Sequence, residues 1–170
     1  MSLCTSAEHA DRLATFWTLR AEIAMHERAF DEAESALHHA LGMKRALDDR
    51  HDQVEVLCNL AVLEIRRGNW RTAGGYANEA LRLASDLKLP SLLIGCMEVF
   101  TVLLMKTGRT QRARETIALA KALRGERSYV YEIMSELRPD LAALADVPPA
   151  ANAHEAMQCA LDELVRDYSL

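Results

Sequence analysis

Aromatic residues are scarce in this chain. They make up 5% of its 170 residues, so a core has to be built chiefly from Leu, Ala, Val and Met. Strand-forming runs are also missing: nowhere does Val, Ile or Thr alternate with polar residues between turn signals. That excludes a sheet, and with it a glycine-rich phosphate loop following a strand. The four cysteines, Cys4, Cys58, Cys96 and Cys159, form no C-x-x-C. This points away from a disulfide framework and towards a reducing cytoplasm, with Cys58 and Cys96 as small core or groove residues. No apolar run is long enough to cross a bilayer and no signal-peptide pattern is present, so neither a membrane span nor secretion is expected. The formal charge of −5 argues against nucleic acid as a partner of the whole chain.

What is present is a period. Ala33, Ala73 and Ala113 recur at a constant interval of forty positions, and Ala40, Ala80 and Ala120 recur at the same interval. Ala21, Ala61 and Thr101 form a third register, and Phe30, Trp70 and Thr110 a fourth. Self-similarity at such a spacing marks a repeat solenoid, a binding scaffold rather than an enzyme. Helical spacing of the apolar residues predicts helices over about 6–28, 31–47, 51–67, 70–87, 91–107 and 110–124. The turn residues agree. Gly68 and Gly108 stand where a helix ends in the left-handed conformation, and Asn69 and Thr110 then offer capping side chains. Asp48-Asp49 and Pro90 mark the other turns, Pro90 in a first helical turn where its missing N–H costs nothing. Gly125 is expected to end the sixth helix. Small side chains at the repeated alanines let paired helices approach, and Phe30 and Trp70 are expected to seal the apolar layer beneath the turns. Gly74-Gly75, inside the fourth helix, weakens it by about 1 kcal/mol per glycine relative to alanine. It is read as tolerated weakness or as a close backbone contact with another helix or subunit.

After residue 127 the period fades. A further helix is expected over 128–137, begun by Ser128 and stopped or kinked by Pro139. Pro148-Pro149 breaks the chain again, and 153–165 carries a second apolar stripe that needs cover. The expected organisation is three repeats over 5–127, then a degenerate fourth repeat and a capping helix over 128–170. Charge is uneven: the window from Lys106 to Arg127 carries a net +5, leaving −10 for the rest. This reads as a solvated face or as a docking surface for an acidic partner, the chain's own tail included.

The repeats resemble the tetratricopeptide (TPR) family over about residues 14–124. That family wants paired small residues on its second helix, a glycine at the turn and an aromatic just after it. The second repeat reads Leu57, Leu60-Ala61, Glu64, Gly68, Trp70, Ala73, Ala77, Ala80. The first reads Trp17, Arg20-Ala21, Ala24, Arg28, Phe30, Ala33, Leu37, Ala40, and the third Met97, Phe100-Thr101, Leu104, Gly108, Thr110, Ala113, Ile117, Ala120. The chain departs from the pattern in three ways. The first-helix aromatic is absent, Arg20 replaces the usual leucine, and the period is forty rather than the family's usual ~34. Long repeats of this kind are similar to the C-terminal arrays of large bacterial ATP-dependent transcription activators, which implies a sensor module cut from, or descended from, a larger regulator.

The resemblance implies an all-α superhelix of three to four helical hairpins with a C-terminal capping helix. It also implies a concave groove lined by the first helix of each pair. The groove residues are then Glu22, Met25 and His26 from the first hairpin. Glu55, Cys58, Asn59, Val62 and Arg66 come from the second, and Glu98, Val102 and Lys106 from the third. Asn59 stands where many such repeats hydrogen-bond a bound peptide's backbone. Gly95 and Val99 occupy the places where a carboxylate clamp would need Lys or Arg, so acidic C-terminal peptides are not the expected ligand. The apolar floor of Val62, Ile65, Val102 and Met105 suits an amphipathic helix, from another protein or from the chain's own 153–165.

Nothing in the sequence supports catalysis, a metal or a cofactor. His38 and His39 are adjacent and point about 100° apart on a helix. Glu34–His38 and Glu22–His26 read as surface pairs, and no H-E-x-x-H occurs. The expected function is a protein- or peptide-binding scaffold, regulatory in context. The alternative is self-association into a homodimer through an array end or the tail helix.

Overall fold

The computed structural model describes residues 6–124 and 138–151. These are helical, without strands, in the order α1 (Ser6–His26), α2 (Phe30–Ala46), α3 (Arg50–Arg67), α4 (Trp70–Leu87), α5 (Pro90–Lys106), α6 (Thr110–Arg124) and α7 (Arg138–Ala142). The period is visible in the starts: Phe30, Trp70 and Thr110 open α2, α4 and α6, and Arg50 and Pro90 open α3 and α5 at the same interval. Consecutive helices pack as hairpins, α1 with α2, α3 with α4 and α5 with α6. Each hairpin stacks on the next through α2 on α3 and α4 on α5, and α3 also touches α5 directly. The expected 128–137 helix, the end of α6 at Gly125 and the 153–165 helix lie outside the described residues.

The same turn closes each hairpin. Arg28, Gly68 and Gly108 have φ of 62°, 81° and 77°. The next residue's N–H then reaches back to the last turn of the preceding helix: Ala29 to the Ala24 carbonyl (2.8 Å), Asn69 to Glu64 (2.9 Å), Arg109 to Leu104 (2.8 Å). This left-handed stop satisfies carbonyls that the helix end leaves open. Arg28 therefore does in the first repeat what glycine does in the others. Asp48 (φ 53°) and Lys88 (φ 54°) make the corresponding turns between hairpins. Two capping expectations are corrected. Asn69 is the N-cap of α4, but its side chain donates to Glu64 Oε2 (2.7 Å) instead of capping. Thr110 is the first residue of α6, inside the helix. Asp49 does cap α3, accepting from the Asp52 N–H (3.2 Å), and Pro90 opens α5.

The alanine registers are the packing joints. Ala21, Ala61, Ala33, Ala73, Ala113, Ala40, Ala80 and Ala120 are all buried, and so is Thr101. Phe100 is fully buried among Leu, Val and Ala. Phe30 packs partly buried against the core, whereas Trp70 is exposed, with its ring near Gly68, and does not seal the layer beneath its turn. A Cβ built on Gly75 meets nothing within 4 Å, so no close approach of another helix of the chain explains that glycine. Pro139, expected to stop or kink a helix, lies within α7.

Buried ions bind the hairpins together. Lys44 on α2 is sealed from solvent, and its Nζ donates to Asp11 Oδ1 of α1 (2.6 Å), to Asp49 Oδ2 (3.0 Å) and to Asp52 of α3. Burial alone would lower its pKa, but the three carboxylates outweigh that and hold the ammonium above its ordinary range. Burial likewise opposes ionisation of Asp52, and Lys44 and His51 overcome it, holding that carboxyl below the usual range. Arg67 bridges Asp31 (2.6 Å) and Glu34 (2.7 Å) of α2 to the buried Glu64 (3.0 Å) of its own helix. The basic stretch of α5 and α6 meets the chain's own later segment. Lys106 pairs with Asp140 (2.7 Å) and Arg114 with Asp146 (3.4 Å), while Lys121 Nζ donates to the carbonyls of Leu144, Ala145 and Val147 (2.9, 3.1 and 2.7 Å).

Candidate functional site

The first helix of each hairpin carries the eleven positions expected to line a groove. Six of them, Met25, Cys58, Asn59, Val62, Glu98 and Val102, are buried. Glu22 and Glu55 are half-buried, and His26, Arg66 and Lys106 are exposed. For those on α3 and α5 the reason is the direct contact of the two helices. Helices packed that closely cover their facing side chains, so the apolar floor belongs to the core, and only the ends of the helices meet solvent. Lys106 is engaged by Asp140. Glu98 is held across the hairpin by Arg124, whose guanidinium burial pulls below its usual range.

Two of the eleven come together at one end of the array. The last turns of α1 and α3 end side by side, and His26 and Arg66 line an open cleft of about 380 Å³ with Arg28 and Phe30. Arg66 Nη1 donates to the Met25 carbonyl (3.2 Å), which fixes the arginine against the end of α1. Its pKa is lowered, first by burial and then by the Arg28 charge beside it. Two guanidinium groups are thus held close enough to disfavour each other, and an arriving anion relieves both. A neighbouring cleft of about 440 Å³ continues over Arg28, Ala29, Phe30, Asp31, Glu32 and Arg67. The exposed surface here is an apolar ring, Phe30, set among cations, with carboxylates at the far edge. Sequence reasoning missed Arg28 and Phe30 as members of this site. Their positions in the repeat, one full period before Gly68 and Trp70, were the available signal.

Asn59 is fully buried, and neither its Oδ1 nor its Nδ2 has a hydrogen-bond partner. Next to it in sequence, Cys58 Sγ lies 3.7 Å from Cys96 Sγ, joining α3 to α5 through two free thiols. Contact with Cys58, followed by burial, pushes the Cys96 thiol well above its usual range, which makes it a poor nucleophile. Asp11, Asp49 and Asp52 form, among the described residues, the one carboxylate group tight enough to hold a metal ion. The Lys44 ammonium already sits between them, which makes the cluster a structural joint. His38 lies 4.0 Å from Glu34 and within reach of the Tyr76 hydroxyl (3.4 Å), and His39 stacks on Trp17.

No protein-family model, curated protein or solved structure matches this chain. The class that the fold defines is an all-helical array of hairpins packed in consecutive pairs. Among the described residues no helix is long and apolar enough to cross a membrane.

Proposed function

We propose that the chain is a TPR-type binding module of the cytoplasm, with no catalytic role of its own, that holds a protein or peptide partner as part of a regulatory assembly. The observation that carries this reading is the cleft where α1 and α3 end: Phe30 offers an apolar contact, and His26, Arg28 and Arg66 surround it with positive or protonatable groups. The partner that fits is a helix or strand-like peptide with one apolar anchor and a carboxylate beside it. Acidic side chains are favoured because each one relieves the mutual repulsion of Arg28 and Arg66. The buried charges around Lys44, Glu64 and Glu98 are occupied in holding hairpins together, which supports a scaffold role.

The test is fluorescence anisotropy against a panel of amphipathic peptides with and without acidic flanks. Arg66→Glu and Arg28→Glu are expected to weaken binding of the acidic peptides by about tenfold or more, the size expected for interface arginines, and the weakening should shrink at high salt. Equal binding by parent and variants would remove the cleft from the account. A second reading, self-association through an array end, is favoured by a separate feature, an apolar stripe left open along α1.

A further inference from the structure

α1 exposes four large apolar side chains, Leu13, Phe16, Leu19 and Ile23, at 44–60% of their full accessibility. At about 100° per residue they fall within one face about 120° wide. One period on, the same register holds Gln53, Val56, Asn59 and Leu63, and one further on Leu93, Cys96, Val99 and Leu103; all eight are buried. This is the face by which a hairpin stacks on its predecessor, as α3 does on α2 and α5 on α4. On α1 it is uncovered. The opposite end of the array is closed: Leu144 and Val147 are buried, Lys121 holds their carbonyls, and the Ala150 N–H donates to the Ala118 carbonyl on α6 (3.0 Å). Among the described residues, head-to-tail stacking of two copies is therefore blocked at one end, and the open apolar face is that of α1.

The charges at the two ends of that face are self-complementary, and Arg20, which shares the face near its centre, is paired with Glu32 (2.6 Å). Arg12 and Glu27 are exposed at its two ends. An antiparallel pairing about a two-fold axis near Leu19 sets Arg12 of one copy opposite Glu27 of the other, and Phe16 opposite Ile23. We propose that this face is a homodimer interface whose occupant is a second copy of the chain, packed α1 against α1. The proposal rests on the self-association reading and gives it a surface and a register. A single pair of helices about 30 Å long buries less than the ~800 Å² per partner of a standard interface, so the expected dissociation constant is micromolar.

The experiment is sedimentation velocity of the full chain across the micromolar range. The mass is expected to rise from one chain to two. Phe16→Glu should abolish the rise while leaving helicity unchanged and, at concentrations where both proteins are monomeric, the thermal midpoint as well, because Phe16 is exposed and outside the core. Arg12→Glu or Glu27→Arg alone should weaken the dimer, and the two together should restore it. A monomeric parent overturns both the proposal and the self-association reading. A Phe16→Glu dimer as tight as the parent overturns the proposal alone and moves self-association to another surface. Failure of the double charge swap to restore the dimer overturns the antiparallel register. A monomeric parent whose α1 face instead binds a peptide of the 70–87 sequence assigns the face to a repeat-type helix and overturns the second copy as occupant.

Discussion

Replacing Asn59 with leucine is expected to stabilise the protein. The two side chains branch at the same carbon, but leucine's methyls are bulkier than the amide's oxygen and nitrogen, so the change removes the polar atoms and also adds volume to the core. Asn59 is sealed from solvent with both polar atoms unpaired. A buried group without a partner keeps its full desolvation penalty, about 1–3 kcal/mol, and replacing it with an apolar group of the same shape recovers that penalty. The register agrees at Val99, the equivalent and likewise buried position of α5. The predicted gain is therefore at most about 1 kcal/mol, because the repacking that the larger side chain requires offsets much of the recovered penalty; each kcal/mol is roughly 2–4 °C in thermal midpoint for a chain of this length. Urea denaturation followed by circular dichroism measures it directly, with an unchanged slope showing that the folded state has not loosened. A loss of stability both on Asn59→Leu and on the smaller Asn59→Val would refute the reasoning, because it would mean that the amide makes hydrogen bonds inside the core. Natural chains keep such penalties where function uses the group, so a more stable Asn59→Leu variant that also loses partner affinity would put the amide into the binding step.

Three further outcomes follow from the turns and the buried ions. Arg28→Gly should stabilise by about 0.5–1 kcal/mol and Gly68→Ala should destabilise by about 1 kcal/mol, because an L side chain is strained at these positive φ values; shifts of opposite sign in urea midpoint check the pair. Gly75→Ala should add about 1 kcal/mol of helix stability, since the new methyl meets open space; a loss on urea titration would show an unseen contact there. Lys44→Met should cost about 2–3 kcal/mol at neutral pH, less than the ~3–5 kcal/mol of a fully buried broken pair because the three aspartates keep part of their exposure to water. The sign with pH is fixed by Asp52. Its carboxyl is held low in the folded parent, so its contribution is complete above the usual carboxylate range and lost as pH falls through its lowered value. The Lys44→Met deficit should therefore shrink on acidification, and a deficit that stays constant from neutral to strongly acid pH would contradict the ion-pair account.

The fold was legible because its signals are local and repeated. Gly68, Gly108, Pro90 and Asp49 each set a helix boundary through backbone chemistry that one residue decides. Side-chain partners were less legible. Asn69 looks like a cap in sequence, but the buried carboxylate of Glu64 draws its amide away, and a charge in the interior gains more from a hydrogen bond than an exposed helix end does. Lys44 gave no hint of its burial, because Asp11 lies far off on α1, and Asp49 and Asp52, neighbours at the start of α3, reach it only when α2 and α3 pack. The apolar floor was assigned to a groove on the repeat register alone. Register tells which face a residue occupies but not how closely the next helix approaches, and the α3–α5 contact places Val62, Val102 and Cys58 inside. The cleft at Arg28 and Arg66 needed the left-handed turn at Arg28, which the sequence marks only through its place one period before Gly68.

The central claim is that hairpins stack in chain order, one repeat per step. Spin labels at Ser35, Gly75 and Glu115, exposed and one repeat apart, test it directly by pulsed dipolar spectroscopy in a background lacking Cys4 and Cys159. The stacked array predicts that the 35–115 distance exceeds both the 35–75 and the 75–115 distances. A 35–115 distance no longer than a single step would mean a bundle closed on itself and would contradict the account.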